Sequence, residues 1–192
     1  MARQRKFTEH ELFLTTKSLL LEHGYEAFTF SQLAEELNVS RGTIYKYFEN
    51  KEDLATEYML YEMNMFLKDL EHIHNYETFS EQLDYLLDLI FKNADIQHLI
   101  EMGQHIPIHQ SDRAKKNHEK LEQLHIEMYR ELDEFIQLGK RKKKIRQHIP
   151  DSLVLGYIFQ SIAIPNHFGI PHEEWVASIK DIIKNGMFED IN

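Results

Sequence analysis

Apolar residues recur every three or four positions along nearly the whole chain, and no stretch alternates apolar with polar residues as a half-buried strand would. The pattern is densest between Phe28 and Leu54. Leu33, Ala34 and Leu37 share one helical face, with the small Ala34 where a second helix must come close. Asn38 then sits where a turn needs a residue that tolerates positive φ, and Val39 and Ile44 pin a further helix to the first. Starts are marked too. Thr29 with Gln32 has the spacing of a capping box, with Phe28 and Leu33 as its hydrophobic staple, and Ser40 is placed to cap the next helix with Val39 and Ile44 as staple. About eight residues, a turn and about nine more make a helix-turn-helix.

The same signals predict an all-α chain of about nine helices, interrupted by only seven Gly and four Pro. A first helix opens at Thr8, boxed with Glu11 and stapled by Phe7 to Leu12, and stops at Gly24. The helix-turn-helix supplies the second and third. A fourth runs from Asn50 to about His72, a fifth from Thr78 (boxed with Glu81) to about Asn93, and a short sixth from Asp95 to about Ile106 ahead of Pro107. A long seventh is expected from Ser111 or Asp112 to about Leu138, stopped by Gly139. Asp151 opens an eighth, to about Ala163, and a ninth spans about His172 to Asn185.

The outer face of the third helix points to nucleic acid. It carries Arg41, Gly42, Thr43, Tyr45, Lys46 and Tyr47. Arginine can bond guanine O6 and N7 together, threonine offers a methyl and a hydroxyl, tyrosine and lysine reach phosphate, and glycine lets the backbone approach a duplex. Thr29, Ser40 and Lys51 complete the candidate DNA-binding set, Lys51 because a lysine beside the backbone amides at the start of a helix can hold a phosphate.

With these residues in view, positions 8–58 resemble the N-terminal domain of the TetR family of bacterial transcriptional regulators. The likeness is carried by Gly24-Tyr25, Phe28-Thr29, Leu33-Ala34, Val39-Ser40, Gly42-Thr43-Ile44-Tyr45, Tyr47-Phe48 and Asn50-Lys51-Glu52-Asp53-Leu54. The resemblance implies an all-helical homodimer. Its first three helices (residues 1–50) would bind a double-stranded, palindromic DNA operator, and residues 51–192 would receive a small-molecule effector and dimerise. It further implies repression that the effector relieves. No cofactor and no enzymatic activity are expected.

Composition fits a folded regulator. The 192 residues are 42% hydrophobic and 11% aromatic, enough for a substantial core. There is no cysteine, which removes disulfides and thiolate metal sites and suits a reducing cytoplasm. Arg3, Arg5 and Lys6 precede a segment broken by Glu9, His10, Glu11 and Lys17, so neither a signal peptide nor a membrane span is expected. The net charge of -10 is uneven: residues 1–50 carry six Lys or Arg against seven Asp or Glu, and residues 51–139 eight against nineteen. An acidic body would help turn the more basic end toward DNA.

Four further features bear on function. The last two predicted helices are the most apolar, and Phe159, Ile162, Trp175, Ile179 and Ile183 are the expected dimer interface, as a four-helix bundle with a second copy. The basic run Lys140–Arg146 reads first as a helix end whose cations suit the dipole, with an anionic partner as the alternative. His98, Glu101 and His105 fall on one helical face, but no fourth ligand accompanies them, so no metal site is assigned. An effector pocket would be lined by Met59, Met63, Phe66, Phe91, Met102, His105, Met128 and Tyr129, adaptable thioethers and rings suited to an amphipathic molecule, although such residues at helical spacing equally build core. Two alternatives stay open: a DNA-binding regulator controlled by a protein partner, and a helical metal-binding protein or enzyme.

Overall fold

Three capping boxes set helix starts. Thr8, Thr29 and Thr78 each accept the amide of the residue three further on, while the side chains of Glu11, Gln32 and Glu81 reach back to the threonine amides. The Thr8 and Thr78 amides and hydroxyls hold the Glu11 and Glu81 carboxyls below their ordinary range. The computed structural model describes residues 7–92 and 103–187. Its α-helices are α1 (Glu9–Ala27), α2 (Phe30–Glu36), α3 (Arg41–Ile44), α4 (Lys51–Leu70), α5 (Phe79–Phe91), α6 (Asp112–Glu131), α7 (Asp133–Arg141), α8 (Asp151–Gln160) and α9 (His172–Met187). The described residues contain no strand, and no helix among them is long and apolar enough to cross a membrane.

The chain divides into two compact units. The first holds the described residues of Met1–Met65 and Asp95–Leu124. Its core is made by α1, α2, α3 and the start of α4, through Phe13, Leu20, Phe28, Leu33, Ile44 and Leu54 among others. The second holds the described residues of Phe66–Ala94 and His125–Asn192. There Phe79 stacks on Phe135 at 4.9 Å and 12°, Leu86, Leu132, Ile136 and Ile158 are fully buried, and Lys180 and Lys184 of α9 pair with Asp88 and Asp84 of α5.

Several elements depart from expectation. Gly24 breaks the helix as expected, at φ 74° and ψ 165°, but a short helical piece follows it, so that α1 reaches Ala27. The expected long seventh helix is two, α6 and α7, bent at Leu132 (φ -87°, ψ 0°), where Asp133 and Glu134 give the new helix the acidic first turn its dipole favours. Gly139 does not act as a stop. It lies buried inside α7, where a side chain would meet Phe79 and Ile145. The helix ends in the basic run instead: Lys143 donates to the Lys140 carbonyl at 3.0 Å and Lys144 to the Gly139 carbonyl at 2.8 Å, a paired turn that puts Lys143 in the left-handed region at φ 54°. Lysine is strained at that position. Lys143→Gly should therefore raise stability by about 1 kcal/mol, read as a higher denaturation midpoint; an unchanged or lower midpoint would mean that the turn is not held as described.

Candidate nucleic-acid interface

The helix-turn-helix is built by local chemistry. Asn38 takes φ 51° after α2, and its amide donates to the Glu35 carbonyl at 2.9 Å while Val39 donates to Ala34 at 2.9 Å. This paired turn closes α2 and satisfies two carbonyls that a helix end would otherwise leave open. Asparagine suits it because a short polar side chain tolerates the left-handed region. Ile44, with no exposed surface, then anchors α3 against the core.

The third helix is shorter than expected. Only Arg41–Ile44 is α-helical, and the chain continues through tightened turns in which Lys46 donates to Thr43 and Tyr47 to Ile44 before Phe48 bonds back to Ile44. Ser40 has the extended backbone of a cap, but its hydroxyl bonds the Thr43 hydroxyl at 2.9 Å and caps no amide.

The predicted DNA-binding residues separate into two groups. Arg41, Gly42, Tyr45 and Lys46 are exposed together, and Thr43 is half-buried beside them. Arg41 Nη2 donates to Tyr45 Oη at 2.8 Å and its guanidinium lies over the Tyr45 ring, whose edge in turn meets Phe30 at 5.0 Å. The row presents two cations and a phenol hydroxyl outward, with the Thr43 hydroxyl beside them. A Cβ on Gly42 would meet nothing nearer than Ser40 Oγ at 3.9 Å, so packing within the chain does not require glycine there.

The other group is occupied structurally. Thr29 is exposed but spends its hydroxyl in the capping box. Tyr47 is half-buried with its ring against Phe7 at 5.6 Å. Lys51 turns back onto the end of α1: Nζ donates to the Tyr25 and Glu26 carbonyls at 3.0 and 3.1 Å and stands 4.4 Å from the Tyr25 ring centre. Tyr25 Oη donates to Glu52 at 2.8 Å, and burial together with that carboxylate pushes the phenol well above its ordinary range.

Sequence reading missed the residues that brace this unit from later in the chain. Ser111 accepts the Ala114 amide, capping α6, and donates to the buried carboxylate of Asp53. Asn117 Nδ2 donates to Thr56 Oγ1 at 3.1 Å and to Glu57 Oε2 at 3.3 Å. Arg113 pairs with Glu57 at 3.0 Å and reaches the Tyr47 carbonyl.

Residues 13–58 match the family described as bacterial regulatory proteins, tetR family. Over that stretch the chain is similar to the tetR family. The family is one of transcription regulators, not enzymes. A curated HTH-type transcriptional regulator of Staphylococcus aureus is 32% identical over 87 residues, covering 43% of this chain and 47% of that protein, so the match spans about half the length of the relative. Among solved structures, a transcriptional regulator from Saccharomonospora viridis in complex with choline has a TM-score of 0.75 at 17% identity, covering 94% of this chain and 97% of that one. FadR from Bacillus subtilis in complex with stearoyl-CoA has a TM-score of 0.69 at 20% identity, covering 94% of this chain and 100% of that one. At such identities the likeness is one of fold.

The expected effector-pocket residues that the structure describes are divided between the two units. Met59, Met63 and the exposed His105 belong to the first unit, while Phe66, Phe91, Met128 and Tyr129 belong to the second. In the first, a cavity of about 20 Å³ lies among Leu20, Tyr25, Tyr58, Met59, Gly103 and Ile106, room for no more than a water. In the second, Phe159 brings its ring to 6.3 Å from Phe66 and 5.9 Å from Tyr129, and burial raises the Tyr129 phenol above its ordinary range. A groove of about 440 Å³ in that unit is lined by none of the candidates; Ile73, His74, Asp133, Glu134, Phe135 and Arg141 are among its walls. Met102, His98 and Glu101 lie outside the described residues. Among the described residues no group of three or more His, Asp or Glu side chains is placed to hold a metal.

The expected dimer residues face both ways. Ile179 and Ile183 are buried within the protomer, and Phe159, Ile162 and Trp175 are half-buried. Among the described residues of α8 and α9, the large apolar side chains that are exposed are Leu153, Tyr157 and Ile182.

Proposed function

We propose that this chain is a homodimeric DNA-binding transcriptional regulator that represses from a palindromic operator and is released by a small molecule. The exposed Arg41, Gly42, Tyr45 and Lys46, with half-buried Thr43 beside them on the helix-turn-helix inside the stretch that matches the tetR family, carry the reading. They offer bidentate and hydroxyl donors to base edges, cations to phosphate, and a glycine whose smallness serves no internal packing. A small-molecule effector is supported by the relatives with ligands: the S. viridis regulator holds choline and B. subtilis FadR holds stearoyl-CoA. Phe66, Tyr129 and Phe159, half-buried rings within one unit, are the side chains best suited to line such a site.

The test is selection from random duplex DNA by the full chain, followed by mobility-shift titration. A palindrome with half-sites about 34 Å apart is the expected product. Failure to enrich any sequence overturns the reading. We assign the dimer contact to Leu153, Tyr157 and Ile182, large apolar side chains that the protomer leaves exposed on α8 and α9. Leu153→Asp with Ile182→Asp should give a monomer in sedimentation that retains its helical signal, because neither side chain supports the protomer core. A double variant that stays dimeric would place the interface elsewhere.

A further inference from the structure

The reader is held at its far end by a side chain from much later in the chain. Arg113 Nη1 donates to the carbonyl of Tyr47, 66 residues earlier, at 2.7 Å. Nη2 and Nε both donate to Glu57 Oε2, at 3.0 and 3.3 Å, and the guanidinium lies over the Phe48 ring with Cζ 4.9 Å from its centre. Tyr47 closes the turns that follow α3, and Phe48 is buried beneath them. Arg113 therefore acts as a C-terminal cap for the reader, supplied from the first turn of α6.

A four-residue helix has no stability of its own, so its aim depends on whatever holds its ends. Ile44 and Phe48 supply apolar anchoring, which has no directional preference, whereas the Tyr47 carbonyl and the guanidinium plane fix an orientation. Arginine suits this work because its planar fork can serve a carbonyl and a carboxylate at once while stacking on a ring; a lysine cannot. The rest of the α6 attachment avoids the reader. Ser111 meets Asp53, and Asn117 meets Thr56 and Glu57, all on α4.

We propose that Arg113 is a positioning residue for DNA recognition, coupling the placement of the first turns of α6 to the aim of Arg41, Thr43 and Tyr45. This rests on the DNA-reading function proposed above. Any event that draws the Arg113 guanidinium away from the Tyr47 carbonyl frees the reader without touching its base-contacting side chains.

The experiment uses the full chain and the duplex that the wild type selects. Arg113→Ala should lose affinity about tenfold, with the slope of log affinity against log salt unchanged, because no phosphate contact is removed. Asn117→Ala, which removes bonds to Thr56 and Glu57 one turn further along α6 and leaves Arg113 on Tyr47, should lower the thermal midpoint while leaving affinity intact. Arg113→Lys should recover part of the loss. The proposal is overturned by wild-type affinity in Arg113→Ala, by a slope that falls about one unit per half-site, the mark of a direct phosphate contact, or by an equal affinity loss in Asn117→Ala. Should Arg113→Ala not fold, Arg113→Lys and Glu57→Gln carry the same comparison. A wild type that selects no sequence removes the DNA-reading function and this coupling together; a selective wild type with an indifferent Arg113 removes the coupling alone.

Discussion

Replacing Arg41 by alanine should weaken binding to the selected operator by roughly 1–3 kcal/mol and relax preference at a single base pair. The magnitude follows from the loss of a bidentate contact, and the geometry explains why this arginine is poised to make one. Its Nη2 already rests on Tyr45 Oη at 2.8 Å with the guanidinium over the ring, so few rotamers remain to be lost on binding. Tyr45 is itself steadied by the buried Phe30. Tyr45→Phe should thus cost less than Arg41→Ala while acting at the same base pair. Titration against the operator and its single-base variants separates the two. An Arg41→Ala chain that binds and discriminates like the wild type would show that α3 does not read bases.

Gly139→Val should destabilise the second unit by about 1–3 kcal/mol through overpacking. A Cβ at this position would stand 2.5 Å from Phe79 Cε2 and 2.6 Å from Ile145 Cδ1. Neither neighbour has room to withdraw: Phe79 is stacked on Phe135, and Ile145 is 1% exposed directly after the turn that ends α7. Gly139→Ala should move in the same direction by less. Denaturant titration reads the effect as a lower midpoint with an unchanged slope. A wild-type midpoint for the valine variant would mean that α5 and the turn after α7 pack more loosely than their separations imply.

What could be read from the sequence was what is settled within a few residues. The boxes at Thr8, Thr29 and Thr78 and the positive φ of Asn38 each depend on neighbours three or four positions away, and all four are present. Gly139 shows the limit. A glycine before a basic run looks like a helix stop, yet this one is kept small by Phe79, sixty positions earlier, and Lys143 takes the left-handed place instead. Lys51 heads α4 as expected, but which carbonyls lie behind it depends on how α1 ends after the Gly24 bend. Hydrophobicity likewise could not say whether Ile179 and Ile183 are covered by their own chain or by another, since apolar burial is indifferent to which partner supplies it. Arg113 left no signal at all, because a lone arginine at the start of a helix reads as solvated until Tyr47, Glu57 and Phe48 are brought to it by the fold.

The bracing of the first unit by Ser111, Arg113 and Asn117 limits how this protein can be cut and recombined. A fragment ending soon after α4 begins would keep every predicted base-contacting residue, yet it would strip the buried Asp53 of its Ser111 hydroxyl and the end of the reader of its guanidinium cap. Grafting residues 1–65 onto a relative's sensor would therefore carry the letters of the recognition segment without the frame that aims it. A working chimera has to import positions 111–113 as well, or find a host whose corresponding helix already presents a hydroxyl and an arginine at those spacings.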